Sequence, residues 1–150
     1  MAFIGRIIVI FFAIILASMA TGIAIAIGIL GPEWHALSGD FGERTVFWGT
    51  AFVATGFTGA MGLLPLLILI VLAEAYKVRS LLVYALAGAA TFALGYYASN
   101  LPSRYEESID HPPPPISREA QIAVAAGAVF GLTYWLFAGR NAGRWRERSL

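Results

Sequence analysis

Thr45 to Ala73 runs for 29 residues without a charged side chain, and few environments accept such a segment. Crossing about 30 Å of hydrocarbon takes roughly 20 apolar residues in a helix. Three further runs meet the same requirement: Ile7 to Leu30, Ser80 to Leu101 and Ala120 to Ala138, of 24, 22 and 19 residues. The expected fold is therefore all-α and integral to a membrane. It is read as one domain over residues 1–150, a four-transmembrane-helix bundle with spans at about 7–30, 45–73, 80–101 and 120–138. Only 13% of residues are charged, about half the share that a soluble surface carries, and contact with lipid removes that need.

The segment between the second and third spans, Glu-Ala-Tyr-Lys-Val-Arg at 74–79, reads as a tight turn where the chain leaves the membrane and re-enters it. Its upstream span is too long for a perpendicular helix, so tilting, an interfacial extension at Thr45 to Trp48, or a bend at Pro65 is expected. Ala17-Ser18-Met19-Ala20 has the small residues of a signal cleavage site. The apolar run continues to Leu30, however, and a retained first helix is expected. Gly31-Pro32 stops that helix, and the loop to Arg44 carries Glu33, Asp40 and Glu43. The second long loop, 102–118, holds Glu106, Glu107, Asp110 and four consecutive prolines, 112–115, that favour an extended rod. Ser117 is the expected N-cap of the last helix, with Glu119 in its first turn.

Orientation follows from the basic residues at the span ends. Arg6, Lys77, Arg79, Arg140, Arg144, Arg146 and Arg148 collect on the side of both termini, against Arg44, Arg104 and Arg118 opposite. Both termini are thus expected inside, N-in/C-in. Localisation to a bacterial cytoplasmic (inner) membrane is the expectation, with the mitochondrial inner membrane as the alternative.

Helices in lipid approach one another through small residues. Ala13, Ala17, Thr21 and Ala24, with Ser18, Gly22 and Ala26 beside them, mark such a face on the first span. Gly49, Gly56, Gly59, Ala60 and Gly62 mark one on the second, Ala85, Ala89 and Ala93 on the third, and Ala123, Gly127 and Gly131 on the fourth. Gly56, Gly59, Gly62, Gly127 and Gly131 are the packing residues expected from this pattern.

No ionisable side chain lies inside the four uncharged runs. Such residues are the usual mark of proton or ion pathways. The hydroxyls Ser18, Thr21, Thr50, Thr55, Thr58, Tyr84, Thr91 and Thr133 are expected to bond a carbonyl one turn back or a neighbouring helix. There is no cysteine, which excludes disulfides and thiolate metal sites. His35 and His111 fall in loops, without haem or zinc spacing; no cofactor, metal or catalytic residue is expected. Nothing provides a basic domain for nucleic acid. Glu74 is placed to pair with Lys77 if the helix continues, or to serve a cytoplasmic partner. Arg140, Arg144 and Arg148 recur every four residues, and together with Arg146 they are expected to meet lipid headgroups from a helical continuation of the last span.

These features favour a non-catalytic accessory, assembly or stabilising subunit of a larger membrane complex. Its partners would be the lipid bilayer and either another membrane protein or further copies of itself. The alternative is a small oligomeric channel or transporter lined by Thr and Gly of the second span. A lipid-modifying enzyme using Asp40, Glu43, Glu106 and Glu107 is the third reading.

Overall fold

A computed structural model describes residues 2–31, 39–99 and 116–143. The regular elements among the described residues are all helical, with no strand among them. Helix α1 covers Ala2–Leu30 and α2 covers Phe41–Phe57. A π-helical turn, Thr58–Gly62, joins α2 directly to α3, Leu63–Ala75. Helix α4 covers Leu81–Ala98 and α5 covers Arg118–Phe137, followed by a 3-10 turn at Gly139–Asn141. Helices α1, α4 and α5 are each long and apolar enough to cross a membrane. The expected cap forms at Ser117, whose Oγ accepts from the Ala120 N–H at 3.2 Å, and a cap not assigned from the sequence forms at Asp40, whose Oδ1 accepts from the Glu43 N–H at 2.8 Å.

Helix α5 is central. It packs against α4 on one side and α1 on the other, and α1 in turn carries α2. The close approaches occur where side chains are missing. A Cβ on Gly88 would strike the Gly127 carbonyl, one on Gly127 would strike Gly88, and one on Gly131 would strike the Tyr84 carbonyl. Helices α4 and α5 therefore touch backbone to backbone, the arrangement that compensates for the lack of a hydrophobic drive in lipid. Gly22 does the same between α1 and α2, against Thr55 and the Ala51 carbonyl. On α4 the buried positions are Tyr84 and Gly88, while Ala85, Ala89 and Ala93 are only half-buried.

The second apolar run behaves differently along its length. Buried residues fall at Phe47, Ala51 and Thr58, then at Leu66 and Ile70. The step from Thr58 to Leu66 is eight residues, which at 3.6 per turn would leave Leu66 about 80° off the buried face. A π turn accommodates one extra residue, and this restores Leu66 to the core while Pro65 is left exposed. Proline also lacks the N–H that an α-helix would direct four residues back, so a wider turn just ahead of it is where the ladder yields most readily. Beyond this turn α3 draws away from α1 and reaches the core through Leu66 and Ile70, which join Ala13, Ala17, Tyr84, Phe130 and Tyr134. A second, smaller cluster of Ala26, Phe47 and Ala51 lies at the other end.

Helix α3 ends in a left-handed cap. Lys77 has φ +55°, and the Val78 N–H reaches back to the Ala73 carbonyl at 2.9 Å, the 6→1 bond of this termination. A side chain at this φ costs roughly 1 kcal/mol, so Lys77→Gly is expected to raise stability by up to about 1 kcal/mol, read from denaturation in mild detergent. In the same assay Gly127→Ala, whose methyl has no space, should lose about 1–3 kcal/mol. Gly56→Ala, with nothing within 4 Å of the added carbon, should gain up to about 1 kcal/mol from helix propensity.

Candidate functional site

Polar contacts concentrate at the end of the bundle that holds the α1 start, the 76–80 turn and the segment after α5. Arg6 pairs with Glu74, 68 residues away. Its Nε lies 3.0 Å from Oε1, Nη2 also donates to that oxygen, and Nη2 reaches the Ala138 carbonyl at 2.8 Å. The second carboxylate oxygen of Glu74 accepts from the Gly143 N–H at 2.9 Å. One ion pair thus joins α1, α3 and the chain beyond α5. The side chains of Arg6 and Glu74 are only 9% and 13% exposed, so each charge depends on the other.

Helix ends explain why they are paired. Arg6 lies near the positive N-terminus of α1 and Glu74 near the negative C-terminus of α3, so each charge is unfavourable on its own helix. Bringing them together offsets both, and the planar guanidinium reaches a carboxylate and a carbonyl at once. The opposite end repeats part of the device. Arg118, at the start of α5, donates to the Gly28 carbonyl of α1 at 3.0 Å, just as Arg6 of α1 donates to Ala138 at the end of α5. The antiparallel pair is clasped at both ends by arginine on exposed carbonyls.

The expected Glu74–Lys77 pairing is therefore corrected: the carboxylate turns inward to Arg6, and it is too covered to offer a docking spot. The expected helical continuation of the last span also fails. Helix α5 stops at Phe137, Ala142 is extended with ψ 132°, and Gly143 has φ +73°. A side chain at Gly143 would also collide with the Lys77 stem. Arg140 is exposed in the 3-10 turn, and Arg144, Arg146 and Arg148 lie outside the described residues. Three further bonds close this end: Arg79 Nε to the Ala142 carbonyl at 3.0 Å, Trp135 Nε1 to the Arg79 carbonyl at 2.8 Å, and the Tyr84 hydroxyl to the Val78 carbonyl at 3.1 Å.

Three hydroxyls of the spans turn back on their own helix. Thr21, Thr55 and Thr91 donate to Ala17, Ala51 and Ala87 at 2.7–2.8 Å. Thr58 Oγ1, in the π turn, and the Tyr134 hydroxyl are buried without a hydrogen-bond partner. Gly127 and Gly131 lie in the α4 contact. Gly56 and Gly59 face open space, and Gly62 approaches Leu66 and Thr58 of its own helix. His35, His111, Glu106 and Glu107 lie outside the described residues, among which no group of three His, Asp or Glu gathers as a metal site. Asp40 serves as the α2 cap.

Because α3 stands off from α4, a cleft of about 180 Å³ opens between them. Its floor includes Ile70, Gly88, Phe130 and Tyr134, and its rim includes Leu72, Tyr76 and Val83. No local pattern in the sequence announces it, since it arises from the π turn and from glycines on two other helices. Comparison of the chain with family models, with characterised proteins and with solved structures finds no match.

Removing one partner of the Arg6–Glu74 pair should cost about 3–5 kcal/mol, so Glu74→Ala should melt well below the parent protein in detergent. The double replacement R6M/E74L removes both charges and should recover most of that loss. If single and double variants are equally destabilised, the pair is not what holds this end.

Proposed function

We propose that the chain is a four-span, N-in/C-in integral membrane protein that acts without catalysis, as an accessory, assembly or stabilising subunit of a larger membrane complex. Support for the fourth span comes from the register of α1 against the second run. Ala26 meets Phe47, Gly22 meets Ala51 and Thr55, and Arg6 meets Glu74. These contacts place the second run antiparallel to α1, close along α2 and meeting it again at Glu74 near the end of α3. The described charged residues at the termini end are Arg6, Lys77, Arg79 and Arg140 with Glu74, while Arg44 and Arg118 face Asp40, Glu43 and Glu119 at the other. That asymmetry favours the termini inside, in a bacterial cytoplasmic membrane.

The observation that carries the subunit role is the outer face of α2. This helix packs against α1, and Gly49, Phe52, Val53 and Gly56 repeat at the spacing of one helix face on its far side. Phe52 is 81% and Val53 70% exposed, and both glycines adjoin open space. Two glycines flanking bulky side chains suit close approach by another membrane helix. Gly49→Leu/Gly56→Leu should leave the detergent melt no lower than that of the parent protein, since both sites are open and helix propensity rises, and should abolish co-purification of the partner chain. Solute flux catalysed by the lone polypeptide in liposomes would refute the role.

That flux is what the second reading requires, a homo-oligomeric channel lined by the second run. It draws on the π turn, whose Thr58 hydroxyl has no partner and whose widened backbone is of the kind that lines solute paths. Single cysteines separate the layouts independently. A thiol at Ser80 should label from the side of the termini, and thiols at Ser38 and Ser108 from the other.

A further inference from the structure

We infer that the two arginine clasps fix the height of the bundle, so that the partner it fits is a bilayer with a hydrocarbon layer of about 30 Å, and thicker or thinner bilayers loosen it. The inference rests on the membrane reading above and deepens it by stating which bilayer. Arg6 of α1 holds the Ala138 carbonyl just past α5, and Arg118 at the start of α5 holds the Gly28 carbonyl of α1. Tied at both ends, the two helices cannot slide past each other to suit their surroundings.

Three helices give that height. Helix α5 has 20 residues and α4 has 18, about 30 Å and about 27 Å at a rise of about 1.5 Å per residue. On α1 the clasped positions Arg6 and Gly28 are 22 residues apart, about 33 Å. The second run is longer, since Phe47 and Glu74 are 27 residues apart, about 40 Å of helix. Yet these two residues meet Ala26 and Arg6 of α1, which lie only about 30 Å apart along that helix. The surplus is therefore taken up by inclination as α3 draws away from α1, and it does not call for a thicker layer.

The surface carries matching boundaries. Lys77, Arg79 and Arg140 are exposed at the end of the termini, and Arg44, Arg118 and Glu119 at the other. Helix α4 has no charged side chain between these levels, and its Leu82, Leu86 and Leu94 are 67–70% exposed. Tyr76 and Tyr97, both exposed, stand near the two levels, where amphipathic rings favour headgroups. A thicker layer would immerse Arg118 and Glu119, which is costly, and a thinner one would leave leucines of α4 facing water. Tilting is the usual answer to a thin bilayer, but here α1 and α5 have to tilt as one body.

The test places the full chain in vesicles of dimyristoleoyl, dioleoyl or dierucoyl phosphatidylcholine, which differ in thickness and share one headgroup. Unfolding at a fixed elevated temperature, followed by circular dichroism, should be slowest in the dioleoyl vesicles and about fivefold faster in the other two, as small costs per ångström of mismatch accumulate. Arg118→Gln, which lacks a charge that the thickest bilayer would bury, should narrow the gap between dierucoyl and dioleoyl vesicles; the ratio within the variant is compared, so an overall loss of stability does not mask it. Nitroxides at Ser80 and Ser99 in the dioleoyl vesicles should be reached by a water-soluble relaxation reagent, and nitroxides at Leu86 and Leu94 by oxygen instead. Equal unfolding rates in all three lipids, a gap that Arg118→Gln leaves untouched, or a water-accessible label at Leu86 or Leu94 overturns the inference. Flotation with the vesicles is scored first: failure in all three refutes the membrane reading, whereas flotation with equal unfolding rates refutes the fitted height alone.

Discussion

Inside hydrocarbon, apolar side chains gain little by exchanging lipid for one another, so the distance to which two backbones can close decides which helices stay together. In this chain that distance is set by Gly88, Gly127 and Gly131 between α4 and α5, and by Gly22 between α1 and α2. Helix α5 gathers the rest around itself because both of its neighbours come close. Helix α3 has no such contact and is held by long side chains and by its far end.

Polar groups complete what close packing begins. The ends of α1 and α5 bind each other reciprocally, Arg6 on Ala138 and Arg118 on Gly28. Glu74 then draws α3 and Gly143 into the first of these contacts. Every donor involved satisfies a carbonyl or carboxylate that a helix end would leave exposed. The outcome is a bundle closed tightly at one end, open along the α3–α4 seam, and flat and apolar on the outer side of α2.

Much of this was legible in the sequence because membranes impose it. Gaps between charged residues mark the helices to within a few positions, and Ser117 announces its cap by its place before an apolar run. The surplus length of the second run left tilting, an interfacial extension or a bend at Pro65 open, and the π turn at Thr58–Gly62 was not among them. The Glu74–Arg6 pair was not legible: Lys77 lies three residues away at pairing distance in an ideal helix, and nothing local points to an arginine 68 residues earlier. Only the left-handed turn at Lys77, where the helix stops, frees the carboxylate for another partner. The end of α5 was not legible either: a four-residue repeat of arginines implies one face only while the helix lasts, and α5 stops at Phe137. Which small residues pack was half legible, since composition identifies narrow faces but does not say whether a neighbour or open space lies beyond them.

The π turn has a consequence for how this chain tolerates change. The number of its residues is constrained: with one fewer, everything after it would rotate by about 100°, exposing Leu66 and Ile70 and carrying Glu74 away from Arg6. A single codon deletion there would leave a buried arginine facing an empty seat.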